Sequence, residues 1–396
     1  MREIHSTQEL KSYLESGASL KDTVVQSVDV SSIADLVLDA TIQNTLFLGC
    51  DLPDTVLASV VKRGASVFPA LAGLPFNPYA PTLYSADTLF DGFCAADPCS
   101  YCQTTDAKVY QHWIDTGSSN PTTIADALAR RLHDMAMTDA IGDFLASHAP
   151  HGKIVGMMGG HSMKRSDDAY LMAARISREL TRRGYLMVSG GGPGAMEATH
   201  VGAWFVERTD AELETAVKEL SAAPSYKDKR WLACAFEVRE KYPPSSGGKH
   251  ISLGIPTWLY GHEPPTPFAT HIAKYFANSV REDGLVTIAS SGLIFAPGSA
   301  GTIQEIFQDA TQNHYATTGV SSPMVFLNSD YWTNEKPVYP IVKQLAKGYD
   351  YEKLIAIFDD VDSVVNYIEN NKPIESSWGK WSFCSAHCKR KDKPMA

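Results

Sequence analysis

The sequence predicts an α/β protein: a Rossmann-like, doubly wound parallel sheet with an additional N-terminal α/β unit. Two observations carry this. From Lys153 onward, short apolar runs alternate with stretches of helical periodicity, the pattern of parallel strands joined by crossover helices. Three of those runs stop at glycine-rich turns that open into helical segments, at 159–162, 190–194 and 298–301. In a parallel sheet such loops gather at the carboxyl edge of the strands, where ligands bind.

The elements follow in order. Residues 45–49 and 65–68 read as short strands, with a helix over 54–63 between them. Residues 69–121 are rich in Pro, Gly, Tyr and Asp and read mostly as loop. Pro121 starts a helical pattern over 122–147 that puts Ile124, Leu128, Leu132 and Met135 on one face. The run His148, Ala149, Pro150, His151, Gly152 then marks a boundary. It divides the chain into an accessory unit, 1–150, and a catalytic unit with a C-terminal tail, 151–396. In the second unit, strands are expected at 154–158, 186–189, 250–255, 293–296, 324–327 and 355–358. Helices are expected at 167–183, 194–206, 270–280, 302–315, 338–347 and 361–370. Residues 207–248 are polar and irregular, and the basic tail from Cys388 reads as frayed.

Composition narrows the function classes. A net charge of −10 and a pI near 5.6 argue against a nucleic-acid or anionic-membrane binder. No apolar stretch approaches the ~20 residues of a membrane span. The N-terminus carries no apolar signal core, so the cytoplasm is the expected compartment. Seven cysteines are too few, and odd in number, for a disulfide scaffold. Cys94, Cys99 and Cys102, with Cys384, His387 and Cys388, have ligand-type side chains but lack paired zinc-site spacing. Free thiols are the favoured reading, and neither metal nor cofactor is expected.

The turn 297–301 is the most informative segment. A strand, a glycine turn and a helix start together make an anion cradle: first-turn N–H groups are unpaired and the dipole end is positive. Glu305 sits one turn into that helix. A carboxylate beside a phosphate cradle opposes stability, which favours a chemical role over mere satisfaction of the helix dipole.

The motifs Ser189-Gly-Gly-Gly-Pro-Gly-Ala-Met-Glu-Ala198 and Pro297-Gly-Ser-Ala-Gly-Thr-Ile-Gln-Glu305 resemble those of the Lonely Guy (LOG) family, long mislabelled lysine decarboxylases. The resemblance covers roughly residues 153–370. The extra N-terminal unit makes the chain similar to the longer bacterial pyrimidine/purine nucleotide 5′-monophosphate nucleosidases. It implies hydrolysis of the N-glycosidic bond of a nucleoside 5′-monophosphate to free base and ribose 5-phosphate, by a homodimer or higher homo-oligomer. Residue by residue, it implies Glu305 and Arg281 as catalytic and Gly298, Gly301 and Thr302 as phosphate-binding. Glu263, after the Ile255-Pro256 strand end, is a substrate contact. Ser299 stands where the family has a second glycine, and a positive φ there is in question. Gly190, Gly191, Gly192 and Gly194 match a nucleotide-binding loop, with Met196 and Glu197 beside the site. His161 and Ser162 are read equally as pocket lining or as a polar loop, and Asp309, His314 and Tyr315 as structural.

In such a reaction positive charge builds on the sugar. The carboxylate of Glu305 stabilises it or takes a proton from attacking water. The competing class is a non-catalytic nucleotide- or molybdenum-cofactor-binding Rossmann protein, which has no use for a carboxylate at the phosphate. A dinucleotide-dependent dehydrogenase lacks its Gly-x-Gly-x-x-Gly and following acid. A pyridoxal-dependent decarboxylase lacks a marked lysine.

Overall fold

A computed structural model describes residues 1–244 and 247–375. The first 68 residues build a four-stranded parallel sheet from β1 (Arg2–Ile4), β2 (Thr23–Gln26), β3 (Leu46–Leu48) and β4 (Ser66–Phe68), paired in that order. Its apolar side chains, among them Ile4, Leu10, Val25, Val37, Phe47, Val56 and Val60, form a core of their own.

The second sheet has seven strands, all parallel. They are β5 (Ile154–Met158), β6 (Leu186–Ser189), β7 (Ser252–Gly254), β8 (His271–Ile272), β9 (Leu293–Phe295), β10 (Met324–Leu327) and β11 (Ile355–Phe358), in the order β8-β7-β6-β5-β9-β10-β11. The central strands are buried on both faces and read as continuous apolar runs, as a covered parallel sheet requires. The order reverses direction between β5 and β9, so their carboxyl ends splay apart and leave a crevice.

Two helical layers cover this sheet. On one face lie α2 (Asp168–Arg182), α3 (Ala195–Trp204) and α9 (Val361–Asn370), through residues such as Ala173, Ile176, Leu180, Val201 and Ile368. On the other lie α1 (Ile124–His148), α6 (Asn278–Ile288), α7 (Ala300–Tyr315) and α8 (Val338–Ala346), through Met137, Phe144, Leu285, Ile306 and Val342. The Rossmann-like α/β class expected from the sequence is the class observed.

Several local expectations are corrected. The polar stretch 207–248 holds two helices, α4 (Asp210–Leu220) and α5 (Trp231–Lys241); the first starts at a Thr209/Glu212 capping box. The supposed loop 69–121 holds a helix at Thr105–Asp115, whose Asp106 makes a buried ion pair with Lys274 (2.5 Å). The stretch 270–280 is not one helix: it begins as edge strand β8, and α6 starts only at Asn278. The long helix α1 is present with its faces exchanged. Ile124, Leu128 and Met135 are exposed, whereas Ala129, His133, Ala136, Met137, Ile141 and Phe144 are buried. Ala86, Leu89 and Phe90 belong to one core of the large sheet, and Met137, Ile141 and Phe144 to the other.

Candidate active site

The crevice at the strand-order reversal holds a cavity of about 380 Å³. Four carboxyl-edge loops line it. The loop after β5 brings Gly159, Gly160, His161 and Ser162; the loop after β6 brings Gly190; the loop after β7 brings Tyr260 and Glu263; the loop after β9 brings Ser299, Ala300, Gly301 and Thr302. Arg281 and Glu282 reach it from α6, and Glu305 from α7.

The turn before α7 is built for close approach. A Cβ on Gly298 would lie 2.2 Å from Thr302 Oγ1 and 2.9 Å from the Gly160 nitrogen, so no side chain fits there. A Cβ on Gly301 would meet nothing within 4 Å, because that position faces the open cavity. Ser299 takes the N-cap position at φ −109°, so the position does not call for the left-handed freedom of glycine. Helix α7 begins at Ala300 rather than Thr302, and its first intrahelical bond runs from the Ile303 N–H to the Ser299 carbonyl. The preceding N–H groups have no intrahelical acceptor, leaving them to an anion. Two groups brace this turn that sequence reasoning did not name: Tyr331 donates its hydroxyl to the Gly298 carbonyl (2.5 Å), and Lys336 Nζ reaches Ser299 Oγ (3.2 Å). Both follow β10. The rule that loops share the carboxyl edge was the available signal.

Arg281 lies in the first turn of α6, not at a helix C-terminus. A cation there opposes the helix dipole, so other groups must hold it. Its Nε donates to the Ile255 carbonyl (2.8 Å), and its Nη1 lies 3.6 Å from Glu305 and 3.8 Å from Glu282. Gly190 makes room for it, since a Cβ there would lie 2.3 Å from Arg281 Nη2. Glu282 was not named from sequence. Its two oxygens are engaged by Asn278 Nδ2 (2.7 Å) and Gln304 Nε2 (2.6 Å).

Glu305 is 8% exposed and receives no hydrogen bond from the described residues. Loss of hydration pushes its carboxyl up to about 7; the Arg281 guanidinium pulls down and Glu282 pushes further up. Glu263 is the other cavity carboxyl with unengaged oxygens. Burial raises its proton affinity, and His161, His262, Arg281 and Lys227 counter this.

Other expected site residues lie outside the cavity lining. Gly191 (φ +68°) and Gly194 (φ +71°) take left-handed conformations, with Gly191 against Ile255 and Pro256 and Gly194 against Gly160 and His161. A Cβ on Gly192 would meet the Met196 side chain. None of these three glycines lines the cavity; Gly190 and Met196 do. Glu197 is also removed from the site. It is fully buried and held by Arg165 (2.6 and 2.8 Å) and the Tyr170 hydroxyl (2.9 Å). Asp309 is buried and accepts from Asn313, in keeping with a structural part. Cys94, Cys99 and Cys102 are exposed free thiols and form no metal-type cluster; Cys384 and Cys388 lie outside the described residues. Among the described residues, no helix is long and apolar enough to cross a membrane.

Fold and cavity together define a Rossmann-like α/β protein with its ligand crevice at the strand-order reversal. No protein-family model matches the chain, and no curated protein sequence matches it. Solved structures align with about half of the chain. One is the molybdenum cofactor binding protein from the phototrophic bacterium Rippkaea orientalis, 14% identical, covering 55% of this chain and 95% of that one at a TM-score of 0.34. Another is the Moco carrier protein from Chlamydomonas reinhardtii, 14% identical with the same coverages and a TM-score of 0.33.

Proposed function

We propose that the chain is a nucleoside 5′-monophosphate phosphoribohydrolase, which hydrolyses the N-glycosidic bond to free nucleobase and ribose 5-phosphate. One observation carries the reading: a buried, unengaged carboxyl, Glu305, lies beside Arg281 and one helical turn past a glycine turn that faces the same cavity. The phosphate binds the N–H groups at the start of α7, with the charge of Lys336 nearby. That anchor fixes the ribose against Glu305, so binding energy distant from the reacting bond is used there. As the bond to the base lengthens, the Glu305 carboxylate faces the cationic sugar and accepts a proton from attacking water. Arg281 favours the ionised form of Glu305 and orients it. A cavity of this size falls in the ~300–1,000 Å³ range of small-ligand sites.

A homodimer or higher homo-oligomer belongs to the same reading, supported by the exposed apolar stripe of Ile124, Leu128 and Met135 on α1; sedimentation of the purified protein tests it.

The deciding experiment incubates the protein with a panel of nucleoside 5′-monophosphates and follows free base by chromatography. Base release that drops at least ~10²-fold in Glu305→Gln supports the reading. Binding of a nucleotide without turnover by the unaltered protein would instead favour the carrier alternative, whether for a nucleotide or a molybdenum cofactor. Full activity in Glu305→Gln refutes the catalytic assignment.

A further inference from the structure

Cys94, Cys99 and Cys102 are free, exposed thiols close together in the chain. Two of them, Cys99 and Cys102, belong to one 3₁₀ helix, Pro98–Gln103. Side chains three residues apart eclipse one another in such a helix, which therefore has three edges. Pro98 and Tyr101 form the half-buried edge, and the Tyr101 hydroxyl donates to Asp106 Oδ2 (2.8 Å). Ser100 turns toward the preceding residues: its Oγ accepts the Cys94 N–H (2.8 Å) and donates to the Asp97 carbonyl (2.6 Å). The remaining edge is Cys99 and Cys102, open to solvent. At about 2 Å of rise per residue their Cα atoms are ~6 Å apart, inside the span a disulfide bridges.

Behind Tyr101 a chain of contacts leads to the cavity. Asp106 holds Lys274 (2.5 Å), both fully buried, and Lys274 Nζ lies 5.1 Å from the centre of the Trp258 ring. Trp258 opens the short turn Trp258–Tyr260 in the loop after β7, the loop that brings Tyr260 and Glu263 to the cavity. One helical turn past Asp106, Tyr110 packs on the same loop, since a Cβ on Gly261 would lie 2.2 Å from its ring. The helix at Thr105–Asp115 thus grips this loop through Lys274 and through Tyr110, and Tyr101 braces the first grip.

We propose that Cys99 and Cys102 form a reversible thiol–disulfide site whose closure loosens the loop carrying Tyr260 and Glu263. The oxidant is a small-molecule disulfide. One cysteine thiolate attacks it and displaces a small thiolate, leaving a mixed disulfide. The other cysteine thiolate then attacks the protein sulfur of that bond and displaces the second small thiolate. Two electrons and two protons pass from the protein dithiol to the oxidant, which becomes two small thiols. Closure has to draw the eclipsed Cβ atoms from ~6 Å to ~4 Å apart. Tyr101 lies between the two cysteines in the chain, so the tightened turn swings it away from Asp106. An exposed bond that strains its own turn is readily reduced, which makes the site reversible.

The test equilibrates the whole protein with mixtures of reduced and oxidised glutathione, traps free thiols with iodoacetamide and maps the peptides by mass. A Cys99–Cys102 bond is expected, reversed by dithiothreitol, absent in Cys102→Ser and retained in Cys94→Ser. Hydrogen exchange then reads the loop. Amides of residues 256–264 are expected to exchange at least ~5-fold faster in the oxidised protein, and at the reduced rate in Cys102→Ser under either condition. Tyr101→Phe lacks the brace, so its loop should exchange fast while reduced, with oxidation adding less than ~2-fold. Failure to form the bond in the most oxidising mixture, or a bond to Cys94 in its place, overturns the site. Loop exchange that oxidation leaves unchanged, or that oxidation raises as much in Tyr101→Phe as in the unaltered protein, overturns the coupling. Nucleotide turnover enters none of these readouts, so failure here is distinct from failure of the phosphoribohydrolase reading.

Discussion

At the scale of single residues, Glu305 ties function to stability. Its carboxyl titrates at about 7 instead of the ordinary 4.5, chiefly because burial strips its hydration. Between those two pH values the unfolded chain has given up the proton while the folded chain keeps it. The folded state binds more protons, so stability falls as pH rises through the window. The difference amounts to about 3 kcal/mol above pH 7. Glu305→Gln is therefore expected to resist urea more than the unaltered protein at pH 8, and equally at pH 4. A variant less stable at pH 8 would show that Arg281 more than offsets the burial. Activity runs the other way: a carboxylate in the reaction predicts a rate that drops as pH falls below about 7. The glycines make a second residue-scale prediction. Gly298→Ala should cost about 1–3 kcal/mol through overpacking against Thr302 and Gly160. Gly301→Ala should hold or gain stability, by up to about 1 kcal/mol, since alanine is the better helix former. Its methyl group faces the phosphate cradle, so KM for the nucleotide should rise. Thermal melts and steady-state kinetics on both variants separate the two effects. Glu305, Gly298 and Gly301 were legible in sequence because the chemistry of a turn is local. The two free oxygens of Glu263, and the engagement of Glu282, were not, since hydrogen bonds across elements decide them.

At the scale of elements, the placement of α6 matters most, because it carries Arg281 and Glu282. Ala277 caps it without a side-chain hydrogen bond of its own. Asp134, on α1, supplies the missing acceptor: its two oxygens receive the N–H groups of Phe276 and Ala277, each at 2.8 Å. A buried carboxylate in this position also suits the positive end of the α6 dipole. Asp134→Asn is expected to cost about 1–3 kcal/mol and to lower kcat/KM without raising nucleotide KM as Gly301→Ala does. Unchanged turnover in a folded variant would mean that α6 is held by its apolar face alone. The sequence placed this helix at 270–280, eight residues early. Helical periodicity was present there, but Ala273 and Tyr275 are buried against the sheet as an extended edge, and that context overrides local propensity. The exchanged faces of α1 have a similar cause. Its N-terminal half exposes Ile124 and Leu128 while Ala129, Arg130, His133 and Asp134 pack inward, and only its C-terminal half buries large apolar residues, Met137, Ile141 and Phe144. A rule that apolar means buried fails on such a helix.

At the scale of the molecule, the division into units follows the cores. Residues 4–60 share one apolar cluster, whereas Phe90, Met137 and Phe144 belong to those of the large sheet. Tyr79 links the units: its carbonyl accepts from the Gln26 and Ser27 side chains, and its ring lies against Gly49. Glu3, Asp139 and Asp143 crowd together where β1 meets α1, and both burial and their like charges raise the proton affinity of Glu3 and Asp139. A chain beginning at residue 70 is therefore expected to fold and melt cooperatively. One beginning at residue 151 lacks Ala86, Leu89, Phe90, Met137 and Phe144, and is expected to aggregate or melt without cooperativity; circular dichroism of the two truncations tests this. By itself the sequence determined the alternation of strands and helices, the glycine turns at the carboxyl edge and the carboxylate beside one of them. All of these follow from near-neighbour chemistry along the chain. Tertiary structure alone decided where the cores divide, which face of α1 meets the sheet and which carboxyls of the crevice stay unengaged. Those depend on groups far apart in sequence competing for the same buried space and the same hydrogen bonds.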